Sequence, residues 1–294
     1  MMFYPNKIKN IITLFIFISL PFILNYNIKA HDCLSMDVAK AIFNNENKKP
    51  IQVLNEKITL EEAYCGQEKL NYLINKKYND KIGHKVGFTG KLLQERFNIE
   101  TPATGVLYEH MFLENNSRIN HNFAFRTFIE PDMLVIIKSS NIMNAKSSLE
   151  ILENVKSIHP FIEIPSLAFN RDAVVNGNML VAANMLATKM VMGDGIKVNN
   201  TKEFLNGLAN IKTTFKNKDE TVKQEVMSSN LMGNPINVLK WLIDDFNEKG
   251  KILKANDRIS LGSVGKLYPL KANESYIYTF DGLGQTSTVS INTN

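Results

Sequence analysis

The sequence predicts an α+β fold in which a helical segment precedes a β-rich body, and three observations carry that prediction. Between Ser35 and Tyr78 the apolar residues recur at helical spacing. From Lys85 onward the texture changes to short apolar runs separated by Gly, Pro and Asn, which suits strands and turns. One capped helix interrupts the β-rich part near residue 235.

The elements follow in chain order. Val38, Ala39, Ile42 and Phe43 form the stripe of a first helix, and Leu60, Ala63, Tyr64, Leu70 and Ile74 that of a second. Thr59 with Glu62 three residues later makes a capping box at the start of the second helix. KNKDETVKQE (216–225) is polar enough to predict a surface loop. In the late helix Asn234 caps, Pro235 takes the first turn, Leu239, Leu242, Ile243 and Phe246 form the buried stripe, and Gly250 stops it. SYIYTFDGLGQTSTVSI then predicts a hairpin through Asp281-Gly282-Leu283-Gly284. GDG at 193–195 has neither a Walker lysine nor a three-glycine dinucleotide pattern, so a turn is expected there.

With 294 residues, 44% of them hydrophobic and 21% charged, the chain can build a substantial core. Its first thirty residues differ: Lys7 and Lys9 precede the uncharged apolar run IITLFIFISLPFIL, and a polar stretch then ends in Ala30. These are the parts of a secretory signal peptide, so export to the periplasm or the medium is expected. The run is short for a bilayer span, and no later segment is apolar enough to make one, so no stable membrane span should remain after cleavage. Cleavage takes away three lysines and no acid, lowering the formal charge from +5 to +2 and removing the case for a nucleic-acid partner. Cys33 and Cys65 are the only cysteines; in an oxidising compartment they can pair, although buried thiols are the alternative.

The segment FIEPDMLVIIKS (128–139) places Glu130 and Asp132 two residues apart at the mouth of an apolar run, hence on one face of a strand. Two carboxylates so close to a core require a cation, a basic residue or a bound proton. Glu163, between Ile162 and Ile164 in HPFIEIPS, is a third acid in apolar company. Three carboxylates without a cysteine or histidine cluster suit a hard cation such as Mg²⁺ or Mn²⁺ and argue against zinc; strand-end acids that are merely solvated or salt-bridged are the plainer alternative. Taken alone, Lys85 after a turn glycine is an ordinary surface lysine.

The segments ITLEEAYCGQEKL (58–70), IGHKVGFTGKLLQ (82–94), TPATGVLYEHM (101–111), IEPDMLVIIKS, HPFIEI, MGNPINVLKWL (232–242) and FDGLGQTSTVSI (280–291) occur in the order found in the 2-keto-4-pentenoate hydratase family. That family includes the 4-oxalocrotonate decarboxylases and belongs to the fumarylacetoacetate hydrolase superfamily. The resemblance runs from about residue 36 to 292. It implies a mixed β-roll of the fumarylacetoacetate hydrolase C-terminal type with an N-terminal helical segment, organised as a signal peptide (1–30) and one hydratase-like domain (31–294). Within that domain, 31–95 would be the helical front and 96–294 the β-rich, metal-binding body. It further implies a homo-oligomer, a small 2-oxo acid as substrate, and one Mg²⁺ or Mn²⁺ on Glu130, Asp132 and Glu163. Lys85 falls on the family's lysine, expected to pair with the substrate carboxylate or move a proton, and Asn184, Ser260 and Gly262 fall in segments expected to touch the substrate.

The reaction so implied is hydration of a 2-hydroxypenta-2,4-dienoate to a 4-hydroxy-2-oxo acid. Several positions depart from the family pattern. Asp132 stands where glutamate is usual, Ala183 replaces the aspartate of Ala-Asp-Asn, and Ser260-Leu261-Gly262 replaces Leu-Thr-Gly. Ala103, Thr104 and Asn234 are further replacements. These changes touch proton handling and carboxylate binding more than the metal ligands. Alternatives are therefore a related oxo-acid decarboxylase, an acylpyruvate-type C–C hydrolase with His84 as its nearest base, or a non-catalytic exported binding protein.

Overall fold

A computed structural model describes Met1, residues 33–45, 48–51 and 57–294 of the chain. The chain divides into two units, Met1–His31 and Asp32–Asn294, and every element below belongs to the second. The predicted signal peptide, apart from Met1, lies outside the described residues.

Helices α1 (Met36–Asn45) and α2 (Leu60–Tyr78) come first, followed by strand β1 (Lys81–Gly87), helix α3 (Lys91–Arg96) and strand β2 (Ala103–Tyr108). The short strands β3 (Phe112–Leu113) and β4 (Arg118–Ile119) precede β5 (Phe128–Ile137), α4 (Ser148–Glu153) and β6 (Val155–Ile164). Next are α5 (Gly177–Ala182), β7 (Lys189–Met192), β8 (Ile196–Lys197), α6 (Lys202–Gly207), β9 (Lys212–Asn217) and β10 (Lys223–Met227). The chain closes with α7 (Pro235–Glu248), β11 (Arg258–Ser263), β12 (Tyr268–Pro269) and the hairpin β13 (Ser275–Gly282) with β14 (Gln285–Thr293).

Two curled sheets result. The larger has the order β2-β1-β11-β5-β6-β7-β3, with β12 added on β5 and β8 on β6; the smaller runs β10-β9-β13-β14-β4. β1 pairs parallel with β11 while β5 pairs antiparallel with both β11 and β6, so the large sheet is mixed. Alternation along β5 divides the interior. Ile129, Met133, Val135 and Ile137 pack with α7 and the smaller sheet in one core, whereas Leu134 joins Phe161, Leu70 and Ala63 in the other, beneath α2 and α5. A strand buried on both faces reads as an almost continuous apolar run, as β5 does.

Local signals held where they rest on backbone chemistry. Thr59 and Glu62 exchange both capping-box hydrogen bonds, at 3.2 and 2.8 Å. Asn234 accepts from the Ile236 amide, Pro235 opens α7, and Gly250 follows its end at φ +63°. The closing hairpin turns at Leu283-Gly284, both at positive φ, as a tight two-residue turn requires. Cys33 and Cys65 are joined in a disulfide that ties the residues before α1 to α2.

Two expectations need correction. The segment 31–95 is not helical throughout: α2 ends at Tyr78, and β1 from Lys81 is a strand inside the large sheet. Helical patterning fails there because Gly83 must lie against the Arg258 carbonyl of β11, where a Cβ would approach within 1.9 Å. The polar stretch 216–225 is a loop only at 218–222, the turn of a hairpin whose strands take its two ends. Lys216 and Asn217 complete β9, and Lys223–Glu225 begin β10; Thr213, Phe215 and Asn217 alternate inward beneath the charged exterior. Glu220 at its turn pairs with Lys216 and Lys223.

Candidate active site

Strands β5 and β6 bring the three acids together. Glu130 lies directly opposite Glu163 in their antiparallel ladder, and Asp132 is one pleat further on, opposite Phe161. All three side chains take the face that Leu134 and Phe161 share with α2 and α5. β1 supplies Lys85, whose ammonium donates a short hydrogen bond to Glu163 Oε1 within a buried ion pair. The same ammonium lies 3.3 Å from the Met185 carbonyl.

β11 completes the floor through an irregularity. Its register with β5 slips between Ser260 and Ser263, and Gly262 within the slip has φ +95°, with the Val86 carbonyl 2.9 Å from where a Cβ would stand. Ser260 donates its hydroxyl to Asp132 Oδ2 at 2.8 Å. Asp132 Oδ1 is buried and has no hydrogen-bond partner among the described residues.

The electrostatics follow from this arrangement. Burial, then the neighbouring Glu163, pushes the Glu130 carboxyl up to about 7, with Lys85 and Ser263 acting against them. Burial, then Glu130 and Glu163, holds Asp132 well above its ordinary value. Burial works to lower the Lys85 ammonium, but Glu163, Glu130 and Asp132 outweigh it and keep the lysine firmly protonated. One buried lysine therefore faces three carboxylates.

That imbalance, the all-oxygen donor set and the orphaned Asp132 oxygen fit a hard divalent cation. The carboxylates face one region without converging on a point: among the described residues no three His, Cys, Asp or Glu side chains already enclose a metal position. Glu163 is turned onto Lys85 and Asp132 onto Ser260, each through one of its two carboxylate oxygens.

Two of the residues expected at the substrate make hydrogen bonds within the protein. Asn184 engages both ends of its amide on Val106 of β2, accepting from its N–H at 2.7 Å and donating to its carbonyl at 3.0 Å, which clamps the backbone there. Ser260 directs its hydroxyl to Asp132, which orients that carboxylate.

His84, the nearest candidate base, points away from Lys85 because the two are neighbours on one strand. Its ring meets Phe246 of α7 edge-on, with centroids 4.8 Å apart, and burial followed by Lys81 and Lys251 lowers it to about 3. His110 binds Asp80, His121 the Asn294 carbonyl, and His159 the Gly193 carbonyl and Ser157. None of these described histidines has its ring bonded to the acid cluster.

The turn that covers Lys85 was not legible in the sequence. Asn184, Met185 and Leu186 all have positive φ, at 54°, 53° and 56°, forming a left-handed turn of three non-glycine residues. Asparagine tolerates this conformation, whereas nothing in methionine or leucine announces it. Room for the turn comes from the missing side chains of Gly87 and Gly105, where a Cβ would stand 2.4 and 3.1 Å from Met185 atoms. Gln67 of α2 stitches the neighbouring backbone, donating to the Thr104 and Val181 carbonyls at 2.8 Å each.

Mixed curled sheets with an acid pair on one strand and a third acid on the next define a fumarylacetoacetate hydrolase-type fold. The 4-oxalocrotonate decarboxylase from Pseudomonas putida G7, solved with magnesium and adipate, has that fold in common with this chain: TM-score 0.75, 18% identity, covering 88% of this chain and 97% of that one. Sequence relatives include "2-keto-4-pentenoate hydratase 2" of Dechloromonas aromatica (strain RCB), 22% identical over 248 residues, which are 82% of this chain and 91% of the relative. Another is "2-hydroxyhexa-2,4-dienoate hydratase" of Comamonas testosteroni, 23% identical over 240 residues, 81% of this chain and 89% of the relative. No family model matches the sequence. Over most of its length the chain is similar in sequence to 2-keto-4-pentenoate hydratases and in fold to a 4-oxalocrotonate decarboxylase.

Proposed function

We propose that this lyase is a metal-dependent hydratase that converts a 2-hydroxy-2,4-dienoate (2-oxopent-4-enoate type) into a 4-hydroxy-2-oxo acid. The observation that carries the reading is the imbalance of half-buried Glu130 and buried Asp132 and Glu163 against the single Lys85, together with the Asp132 oxygen that has no partner among the described residues. The names of the relatives point to the same substrate class, and the decarboxylase neighbour was solved with a divalent ion.

Glu130, Asp132 and Glu163 would hold Mg²⁺ or Mn²⁺. A bound ion of this kind supplies the positive charge that a substrate 2-oxygen needs as the dienol ketonises. Ser260 orients Asp132 by occupying one of its oxygens. Lys85, displaced from Glu163, offers its ammonium to the substrate's 1-carboxylate or returns a proton to the carbon chain as water adds at C4. Burial of the cluster excludes bulk water, so the attacking water must be an ordered one. The absence of a histidine contact among the described residues at the cluster favours this chemistry over hydrolytic C–C cleavage.

The same reading places the mature chain outside the cytoplasm after cleavage near residue 30, supported by the Cys33–Cys65 disulfide. It also takes the protein to be a homo-oligomer; exposed Tyr72 and Ile252, lining one cleft, offer apolar surface for such contacts. The test is the loss of ultraviolet absorbance of freshly generated 2-hydroxypenta-2,4-dienoate, with product identity checked against spontaneous ketonisation. Turnover that requires added metal and disappears in Glu163→Gln supports the assignment. No product with metal bound would direct attention to other oxo acids.

A further inference from the structure

On the far side of the left-handed turn from Lys85 lies an open cleft of about 390 Å³. Asn184 and Leu186 of the turn form one wall, and Ile42, Leu70 and Ile74 of the two N-terminal helices form the other. Its polar end is built around Lys189 and His110. Lys189, at the start of β7, donates to the His110 carbonyl at 2.7 Å, and among the described residues no carboxylate pairs with its ammonium. The His110 ring is fixed in turn, stacked on Tyr78 at 3.8 Å with Nδ1 held by Asp80 at 2.8 Å. Lys77 lies above the Phe43 and Tyr78 rings at the rim.

A half-buried ammonium with one carbonyl partner retains donors and an uncompensated charge. Burial pushes Lys189 below its ordinary value, as expected for a cation stripped of water without an anion to replace it. The cleft is large enough for a small ligand and mostly apolar along its length.

We propose that this cleft binds a small organic carboxylate, its anionic end on Lys189 and its hydrocarbon body between the turn and the two N-terminal helices. The site is separate from the acid cluster, whose only cation among the described residues, Lys85, is already paired with Glu163 and so offers an organic anion no free partner in the absence of metal. The 184–186 turn stands between them, contacting Lys85 through the Met185 carbonyl. Two sources share this chemistry: a free organic acid, and the far end of a longer oxo-acid substrate.

The experiment is isothermal titration of the full chain, in chelator, with hexanoate and with uncharged hexanamide. Hexanoate should bind once per chain, with hexanamide at least about tenfold weaker. Lys189→Met should weaken hexanoate by about tenfold or more while Lys189→Arg keeps most of the affinity; if Lys189→Met does not fold, the comparison of acid and amide on the unaltered chain decides. Glu163→Gln should bind hexanoate normally, and that result holds whether or not the chain proves to be a hydratase. Equal binding of acid and amide, unchanged affinity in Lys189→Met, no binding at millimolar hexanoate, or loss of binding in Glu163→Gln would each overturn the proposal. With turnover established, hexanoate that raises KM for a long-chain oxo acid at constant kcat identifies the substrate's far end as the occupant; unchanged KM identifies a free acid.

Discussion

Glu130 and Glu163 face each other across the β5–β6 ladder, and the ammonium of Lys85 is paired with only the second of them. Like charges at directly opposed positions destabilise a sheet, and here Glu163 is buried and Glu130 half-buried. Such an arrangement calls for a cation or a bound proton, and the raised Glu130 and Asp132 carboxyls are ready to hold the proton where no cation is bound.

Lys85 is therefore a structural as well as a functional group. In chelator, Lys85→Met leaves buried Glu163 without its ion-pair partner, beside Glu130 and Asp132, and should lower stability by about 3 kcal/mol, read as a fall in the denaturant midpoint. Added Mn²⁺ should recover part of the loss by binding the folded state. In the presence of metal the same variant should lose turnover by about two orders of magnitude or more. Stability unaffected by the substitution would mean the acids are not charged as described.

His84 sets an acid limit that is independent of the metal. Its folded-state value of about 3 lies below the ordinary 6.5, so the unfolded chain binds the proton more readily. The stability this histidine contributes is complete above pH 6.5 and is lost as pH falls from 6.5 towards 3, by up to about 1.4 kcal/mol per pH unit. His84→Phe, which keeps a ring against Phe246, should flatten that part of a chemical-denaturation pH profile; an unchanged slope would place the acid sensitivity elsewhere.

The disulfide closes a loop between residues 32 positions apart, which corresponds to about 3 kcal/mol of stabilisation. Cys65→Ala, or reduction of the native chain, should lower the melting temperature accordingly, and thiol titration of the unreduced denatured protein should find none. Two titratable thiols would refute the bridge.

Asn184 clamps Val106 and begins the turn over Lys85. Asn184→Ala removes two hydrogen bonds and places a less tolerant residue at positive φ, so it should cost about 2 to 3 kcal/mol. Because the Met185 carbonyl lies beside Lys85, kcat should fall more than KM rises. Gly at 184 restores the backbone freedom but not the clamp, and should recover only part of the stability.

The parts of the fold legible in the sequence were those fixed by neighbours in the chain. The capping box at Thr59, the ends of α7 and the turn at Leu283-Gly284 each depend on a few consecutive residues, and each appeared where its pattern stood. Alternation alone put Glu130 and Asp132 on one face; the partner strand carrying Glu163 came through the family resemblance and was then seen opposite Glu130. What stayed hidden depends on distant contacts. β1 was obscured because Gly83 and Lys85 have meaning only beside β11 and β6, and the polar exterior of residues 216–225 concealed a hairpin whose inward residues are two apart. The hydrogen bonds of Asn184 and Ser260 stayed hidden for the same reason, since Val106 and Asp132, which occupy their polar atoms, are remote in sequence.

The most direct test of the account is calorimetric titration of Mn²⁺ into the chelator-stripped chain and into Glu163→Gln and Asp132→Asn. One ion should bind per chain, with affinity weakened by about tenfold or more in each variant while circular dichroism shows the fold retained. Unchanged binding in both variants, or no binding by the parent chain, would contradict it.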